Sequence, residues 1–317
     1  MSYYLHNVEM PFSGKNISFR EIKNKEQIAI SKANLAMPID NNEPVLYNNF
    51  LKKIIFQCVE NQEVLKELNV IEYILFAAKL RIVSFGSNLE LQQDVEEADN
   101  KKNVKKIKIT LDLQTFIKNL FDASKHINST VIKFQGMEII LSWPNHKDQD
   151  YFLNLKETNS MLSSFCYFIK TIKMKDKIIN MWDFSNTERE EIFDSFSISI
   201  RSKIQNKITD ALQILSSGDL FTLKQLNDYK FSFYNTVYLD ILRLFYSFDL
   251  KEIYREYYAL ASRQIPPSYI NDISTIERKL YLSIMQEERS ASNKQDTPSG
   301  ESSLLDLARE FGDQIPN

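Results

Sequence analysis

Three histidines are available for proton transfer or metal ligation: His6, His126 and His146. They fall in separate segments, none has a second ligand at i+3 or i+4, and no carboxylate stands beside them at a metal-site spacing. They read as exposed loop histidines. The two cysteines, Cys58 and Cys166, give neither a disulfide framework nor a four-cysteine zinc site, which fits a reducing compartment. A thiol attacks only as a thiolate in an electropositive setting. Cys58 falls on the apolar stripe of a helix and Cys166 stands among Phe165, Phe168 and Ile169, so both read as packing residues. Ser13–Gly14–Lys15 has the ending of a phosphate loop, but position 9, where the first glycine belongs, is Glu9. Ser299–Gly300 lacks the G-x-S-x-G context of a hydrolase elbow. Glu72 and Lys79 lie two helical turns apart and are expected to form a solvated face or an ion pair, not an acid/base couple. No catalytic residue, metal or cofactor is expected. The enzymatic alternative is a hydrolase using Asp112, Glu138 or Asp148 with His146, and it requires those side chains to share one cleft.

The elements that would position any such group are mostly helices. Of 317 residues only 6 are Gly and 8 Pro, against 21 Phe and 15 Tyr, which disfavours a barrel or sandwich built on many tight turns. A turn at Phe12–Asn16 leads into a short strand, Ile17–Arg20. Helices follow at Lys23–Leu35, at Glu43–Glu60, where Leu46, Phe50, Ile54 and Cys58 recur every fourth residue, and at Val70–Val83, stopped by Gly86. Asn88–Leu91 and Ile107–Leu113 read as strands separated by a charged loop, Asp94–Lys106. A short helix covers Gln114–Asp122, and Thr130–Phe134 with Met137–Trp143 form a hairpin around Gln135–Gly136. A helix is expected over Asn154–Ile172 and a strand over Lys177–Phe184. Further helices are expected at Ile198–Leu215, Phe231–Tyr246, Leu250–Arg263 and Thr275–Arg289, and Ser185 or Asn186 caps another whose first turn carries Glu188, Glu190 and Glu191. The expected fold class is α+β, predominantly helical, with a small β-rich insert and a C-terminal helical bundle. Residues 1–86 form an N-terminal helical part with a short strand, 87–150 the insert, 151–289 the C-terminal part, and 290–317 a flexible tail with a short amphipathic segment.

Net charge is −3 from 39 basic and 42 acidic residues. Nonspecific nucleic-acid binding usually needs a basic excess, and the Lys101–Lys108 cluster is offset by Asp94, Glu96, Glu97 and Asp99. A nucleic-acid adaptor working through Lys101–Lys108 is therefore a lesser alternative. Met1–Pro11 lacks the apolar centre of a leader, and no run approaches the roughly 18 apolar residues of a membrane span. The aromatic C-terminal helices stand out, because tyrosine is favoured both in cores and at protein interfaces. The candidate contact residues are Tyr238, Tyr254, Tyr257 and Tyr258, together with a docking segment carrying Leu304, Leu305, Leu307 and Phe311.

The order of several segments resembles the T4-type phage baseplate proteins, the family of baseplate hub subunits and hub assembly factors. The resemblance is carried by Pro11–Phe12–Ser13–Gly14–Lys15 with Phe19–Arg20–Glu21 and Lys25–Glu26, and by Leu68–Asn69–Val70–Ile71–Glu72–Tyr73–Ile74–Leu75–Phe76 running into Lys79–Leu80–Arg81 and Ser84–Phe85–Gly86. It continues through Asp183–Phe184–Ser185, the acidic helix Glu188–Ser195, Phe231–Tyr234, Leu250–Tyr254 and Ile273–Tyr281, so that it spans about residues 10–289. After the acidic helix this chain has Phe196–Ser197 where the family often has Leu-Pro. The resemblance implies a non-enzymatic role in contractile-tail morphogenesis through contacts with other tail and hub proteins. It also implies a place in the host cytoplasm during assembly or in the virion baseplate, with a homo-oligomer as one arrangement.

Overall fold

The computed structural model describes residues 4–36, 44–97, 100–125, 127, 130–145, 163–175, 177–216 and 242–293. The chain opens with an antiparallel hairpin, β1 (His6–Glu9) and β2 (Asn16–Phe19), closed by a turn in which the Gly14 amide donates to the Met10 carbonyl at 2.9 Å. Gly14 has φ +65°, a conformation that disfavours a side chain. Helices α1 (Asn24–Ala36), α2 (Pro44–Gln57), α3 (Gln62–Lys66) and α4 (Val70–Phe85) follow. The last of these is the axis of the molecule. Ile71, Tyr73, Ile74, Leu75, Phe76, Ala77, Ala78 and Leu80 are all buried, so α4 is apolar on several faces and has neighbours all round. Asn69 caps its start and Gly86, at φ +90°, ends it.

Strands β3 (Asn88–Glu97) and β4 (Asn100–Asp112) pair as a long antiparallel ribbon. This corrects the charged loop expected at Asp94–Lys106. The segment lacks apolar alternation, yet its backbone pairs in register, with Asp94 opposite Lys106. Leu89 and Leu111 anchor the base of the ribbon in the core. Helix α5 (Leu113–Ser124) then buries Leu113, Phe116 and Leu120 at helical spacing.

A four-stranded antiparallel sheet runs β5 (Val131–Phe134), β6 (Met137–Leu141), β7 (Ile169–Met174) and β8 (Lys177–Asn180) in that order. Its register aligns Ile132, Ile139, Ile172 and Ile179 across one face, toward the core. The next row, Lys133, Glu138, Lys173 and Ile178, belongs to the opposite face. The expected helix at Asn154–Ile172 is corrected at its end. Ser163–Phe168 is a 3-10 turn burying Phe165 to Phe168, and Ile169 opens strand β7, whereas residues 154–162 lie outside the described residues. Pairing of Ile172 with Ile139 decides the matter, since a continuous apolar run carries no period of its own.

Helices α6 (Asn186–Asp194) and α7 (Ile198–Ser216) come next. The first starts with a reciprocal cap between Ser185 and Glu188. Of the expected helix at Phe231–Tyr246, residues 231–241 lie outside the described residues and 242–245 are helical. Helices α8 (Leu250–Ala261), α9 (Pro267–Asp272) and α10 (Thr275–Asn293) complete the described chain. They enclose a small core of Leu260, Ile270 and Ile273. This group is tied to α1 by polar contacts across the full length of the sequence. The Asn24 amide donates to the Ile273 carbonyl at 2.9 Å, the Asn24 side chain to the Ile270 carbonyl at 3.1 Å, and the Thr275 hydroxyl to Gln27 at 3.0 Å.

Candidate interaction surfaces

The groups with chemical potential are engaged in holding the fold. Glu72 is 1% exposed, not on a solvated face as its spacing from Lys79 suggested. Its Oε1 accepts the backbone amides of Phe12 at 3.0 Å and Ser13 at 2.7 Å, and Asn69 Nδ2 donates to its Oε2 at 3.3 Å. The Phe12 and Ser13 amides are thus turned toward an internal carboxylate and the Gly14 amide toward the Met10 carbonyl, while Lys15 pairs with Glu67. That arrangement leaves no cradle for a phosphate. Cys58 is buried, and burial pushes its thiol up to about 12, far from a thiolate. Cys166 is buried as well. His6 lies half-buried in β1, 3.5 Å from Glu21 and against the Phe19 ring, not in a loop.

The hydrolase alternative places two of its members in structural roles. Asp112 is the N-cap of α5, accepting the amides of Gln114 and Thr115 and the Thr115 hydroxyl. Glu138 pairs with Lys133 at 3.2 Å on the sheet. His126, His146 and Asp148 lie outside the described residues. No group of three or more His, Cys, Asp or Glu side chains among the described residues could hold a metal ion, and no described helix is long and apolar enough to cross a membrane. Partial burial raises the Asp112 carboxyl, but the hydrogen bonds from Thr115 and Gln114 outweigh it and hold its pKa below the ordinary value. A carboxyl depressed on folding contributes stability above its unfolded pKa and loses it as pH falls through the lower folded one. Asp112→Ala is therefore expected to cost about 1 kcal/mol at neutral pH, with the gap to the unaltered protein narrowing in acid, below the ordinary aspartate pKa. Urea melts at the two pH values check this.

Arginines are similarly placed. Arg81 is buried, donates from Nε to the Phe245 carbonyl at 2.8 Å and from Nη1 to the Gly86 carbonyl at 3.0 Å, and lies over the Phe85 and Phe248 rings. Burial lowers its pKa to about 10, so it remains charged at neutral pH. Arg20 and Glu26 form a two-point pair at 2.9 and 2.7 Å.

Among the described residues, apolar and aromatic side chains face outward singly at Tyr4, Leu35 and Ile198 and together in three places. On α8, Ile253 and Leu260 are buried and Tyr257 packs against the small C-terminal core. Tyr258 is 70% exposed, with the rings of Tyr254 and Tyr257 at 6.5 and 6.3 Å. Lys32 Nζ stands 5.8 Å from the Tyr254 ring centre. The expected tyrosine face therefore divides, with Tyr257 half-buried against the small core, Tyr254 half-buried near Lys32 and Tyr258 outward. Tyr238, Leu304, Leu305, Leu307 and Phe311 lie outside the described residues. The second place is α10, where Ile276, Leu280 and Ile284 are 40%, 48% and 37% exposed. Their i, i+4, i+8 spacing is legible in the sequence. The third is the sheet corner at the β5–β6 and β7–β8 turns, where Lys133, Lys173 and Lys175 with Phe134, Met137 and Met174 line an open cleft of about 460 Å³.

The family described as T4 bacteriophage base plate protein matches residues 1–216, well over half of the chain. The chain belongs to that family. No curated protein and no solved structure matches it. The matched part of this base plate protein runs from the first hairpin to the end of α7, so the tyrosine face and α10 lie beyond it. Base plate membership carries a structural setting in the phage tail and contact with other tail proteins.

Proposed function

We propose that this base plate protein is a hub subunit or hub assembly factor, a non-enzymatic component of contractile-tail morphogenesis that acts by presenting helical faces to other tail proteins. One observation carries the reading. The described groups best suited to chemistry, Glu72, Asp112, Arg81 and Cys58, have internal structural roles, while aromatic and aliphatic side chains face outward. The contact surface is the Tyr254 and Tyr258 side of α8, and Leu304–Phe311 is a separate docking element. The protein works in the host cytoplasm during assembly and, as a hub subunit, remains in the virion.

Exposed tyrosines at an interface centre are frequent anchors. Tyr254→Ala combined with Tyr258→Ala is expected to weaken capture of a tail protein at least about 10-fold while leaving the melting temperature nearly unchanged. Unaltered capture would remove this face from the proposal. Mass spectrometry of purified particles separates the two roles: a stoichiometric presence marks a subunit, and absence together with failed assembly on deletion marks a factor.

A further inference from the structure

Helix α8 sorts its charges by side. Glu256 pairs with Arg278 at 2.8 Å and Glu252 also stabilises the Arg278 cation, so both acids lie on the side next to α10. At about 100° per residue, Lys251, Tyr254, Arg255 and Tyr258 fall on the outer side, opposite the buried Ile253 and Leu260, and neighbours among them are one turn or less apart. Lys251 and Arg255 are exposed. Lys32 of α1, also exposed, extends this patch, with its Nζ 5.8 Å from the Tyr254 ring centre. The two tyrosines therefore have Lys32 on one flank and Lys251 and Arg255 on the other.

These cations are not neutralised within the described chain. None of Lys32, Lys251 and Arg255 forms an ion pair with a described residue. Asp249, the acid that precedes them on α8, is engaged as the N-cap and accepts the Lys251 and Glu252 amides. Lys251 and Arg255 stand at i and i+4, where like charges disfavour a helix. Arg263, just beyond the end of α8, is by contrast paired with Glu288 at 3.5 Å. A protein of net charge −3 thus keeps three uncompensated cations around two tyrosines.

We infer that this side of α8, with Lys32, binds an acidic segment of another tail protein, its carboxylates facing Lys32, Lys251 and Arg255 and its apolar side chains lying on the Tyr254 and Tyr258 rings. This rests on the contact role given to the tyrosine face above and names the chemistry of its partner. Complementary charges set the choice and orientation of a partner, while tyrosine rings supply the apolar contact. Three cations fall short of the basic stripe that nucleic acid requires, and base plate membership places the chain among tail proteins, so a protein segment fits better.

The probe is a fluorescently labelled peptide of repeated Glu-Glu-Phe-Leu, compared with its Lys-Lys-Phe-Leu counterpart on the full chain. The acidic peptide is expected to bind at least about 10-fold more tightly, with an affinity that falls as salt rises. Lys251→Glu combined with Arg255→Glu, both at exposed positions, is expected to abolish that preference while leaving the melting temperature nearly unchanged. Equal binding of the two peptides overturns the inference, as does a preference that survives the charge reversal. Displacement of the acidic peptide by oligothymidine at similar concentration also overturns it, since the surface would then be one for nucleic acid. If the preference is absent yet Tyr254→Ala with Tyr258→Ala still weakens capture of a tail protein, the contact role stands and only the acidic partner falls.

Discussion

Glu256→Ala is expected to destabilise the protein by about 3 kcal/mol, although it places a good helix former in α8. Arg278 is 2% exposed at the start of α10, and its Nε lies 2.8 Å from Glu256. Its Nη1 also donates to Asn24 of α1, so one guanidinium joins the first and last described helices. Burial lowers the Arg278 pKa, and the Glu256 carboxylate opposes that shift by stabilising the cation, with Glu252 adding to it one turn earlier. Without Glu256 a buried charge loses its main counterion, and such a loss costs far more than breaking a surface pair. Glu256→Gln keeps an acceptor and should lose less. Combining Glu256→Ala with Arg278→Met removes the stranded charge, so the double variant should be more stable than the two single losses together predict, by more than about 1 kcal/mol. Equilibrium urea unfolding of the four proteins measures this. A loss below about 0.5 kcal/mol for Glu256→Ala would mean that water, not Glu256, stabilises the cation.

The second large effect is local to the N-terminal turn. Glu72→Ala removes the acceptor for the Phe12 and Ser13 amides and one partner of Asn69. Hydrogen bonds to a charged acceptor contribute about 1.5–3 kcal/mol each, and a donor left without its partner costs more than the bond itself contributed. A total near 3 kcal/mol is expected. The more specific readout is hydrogen exchange. Amide protection at Phe12 and Ser13 should collapse, while protection in the centre of α4 falls only by the global loss of stability. If those two amides keep their protection, the carboxylate does not hold the turn.

Both sites clarify what the sequence could reveal. Local signals are legible in the sequence: the Gly86 end of α4, a cap at Ser185 or Asn186, which the structure places at Ser185, and the Gln135–Gly136 hairpin all follow from residues acting over a few positions. Glu72 was misread because its partners lie 59 and 60 residues upstream, beyond any periodic pattern. Strand Ile169–Met174 escaped for a similar reason, since only β6 and β8 on either side distinguish it from the end of a helix. The ribbon at Asn88–Asp112 is set by cross-strand register, which a single strand cannot reveal. The resemblance fared differently. Its motifs include the local Arg20–Glu26 pair and also Glu72, Arg81 and Arg278, polar groups that tie distant segments together. On the surface, the partial burial of Tyr257 beside exposed Tyr258 depends on how α8 is rotated against α9 and α10, and composition is blind to that rotation.

The most direct measurement of the central claim is co-purification from cells expressing the full chain with candidate phage tail proteins, with brief chemical cross-linking to retain transient complexes. A contact-based base plate protein yields a defined complex that survives the Asp112→Ala variant and is lost with the paired Tyr254 and Tyr258 substitutions. Recovery of the chain alone under every condition, or turnover of a small molecule by the purified protein, would contradict it.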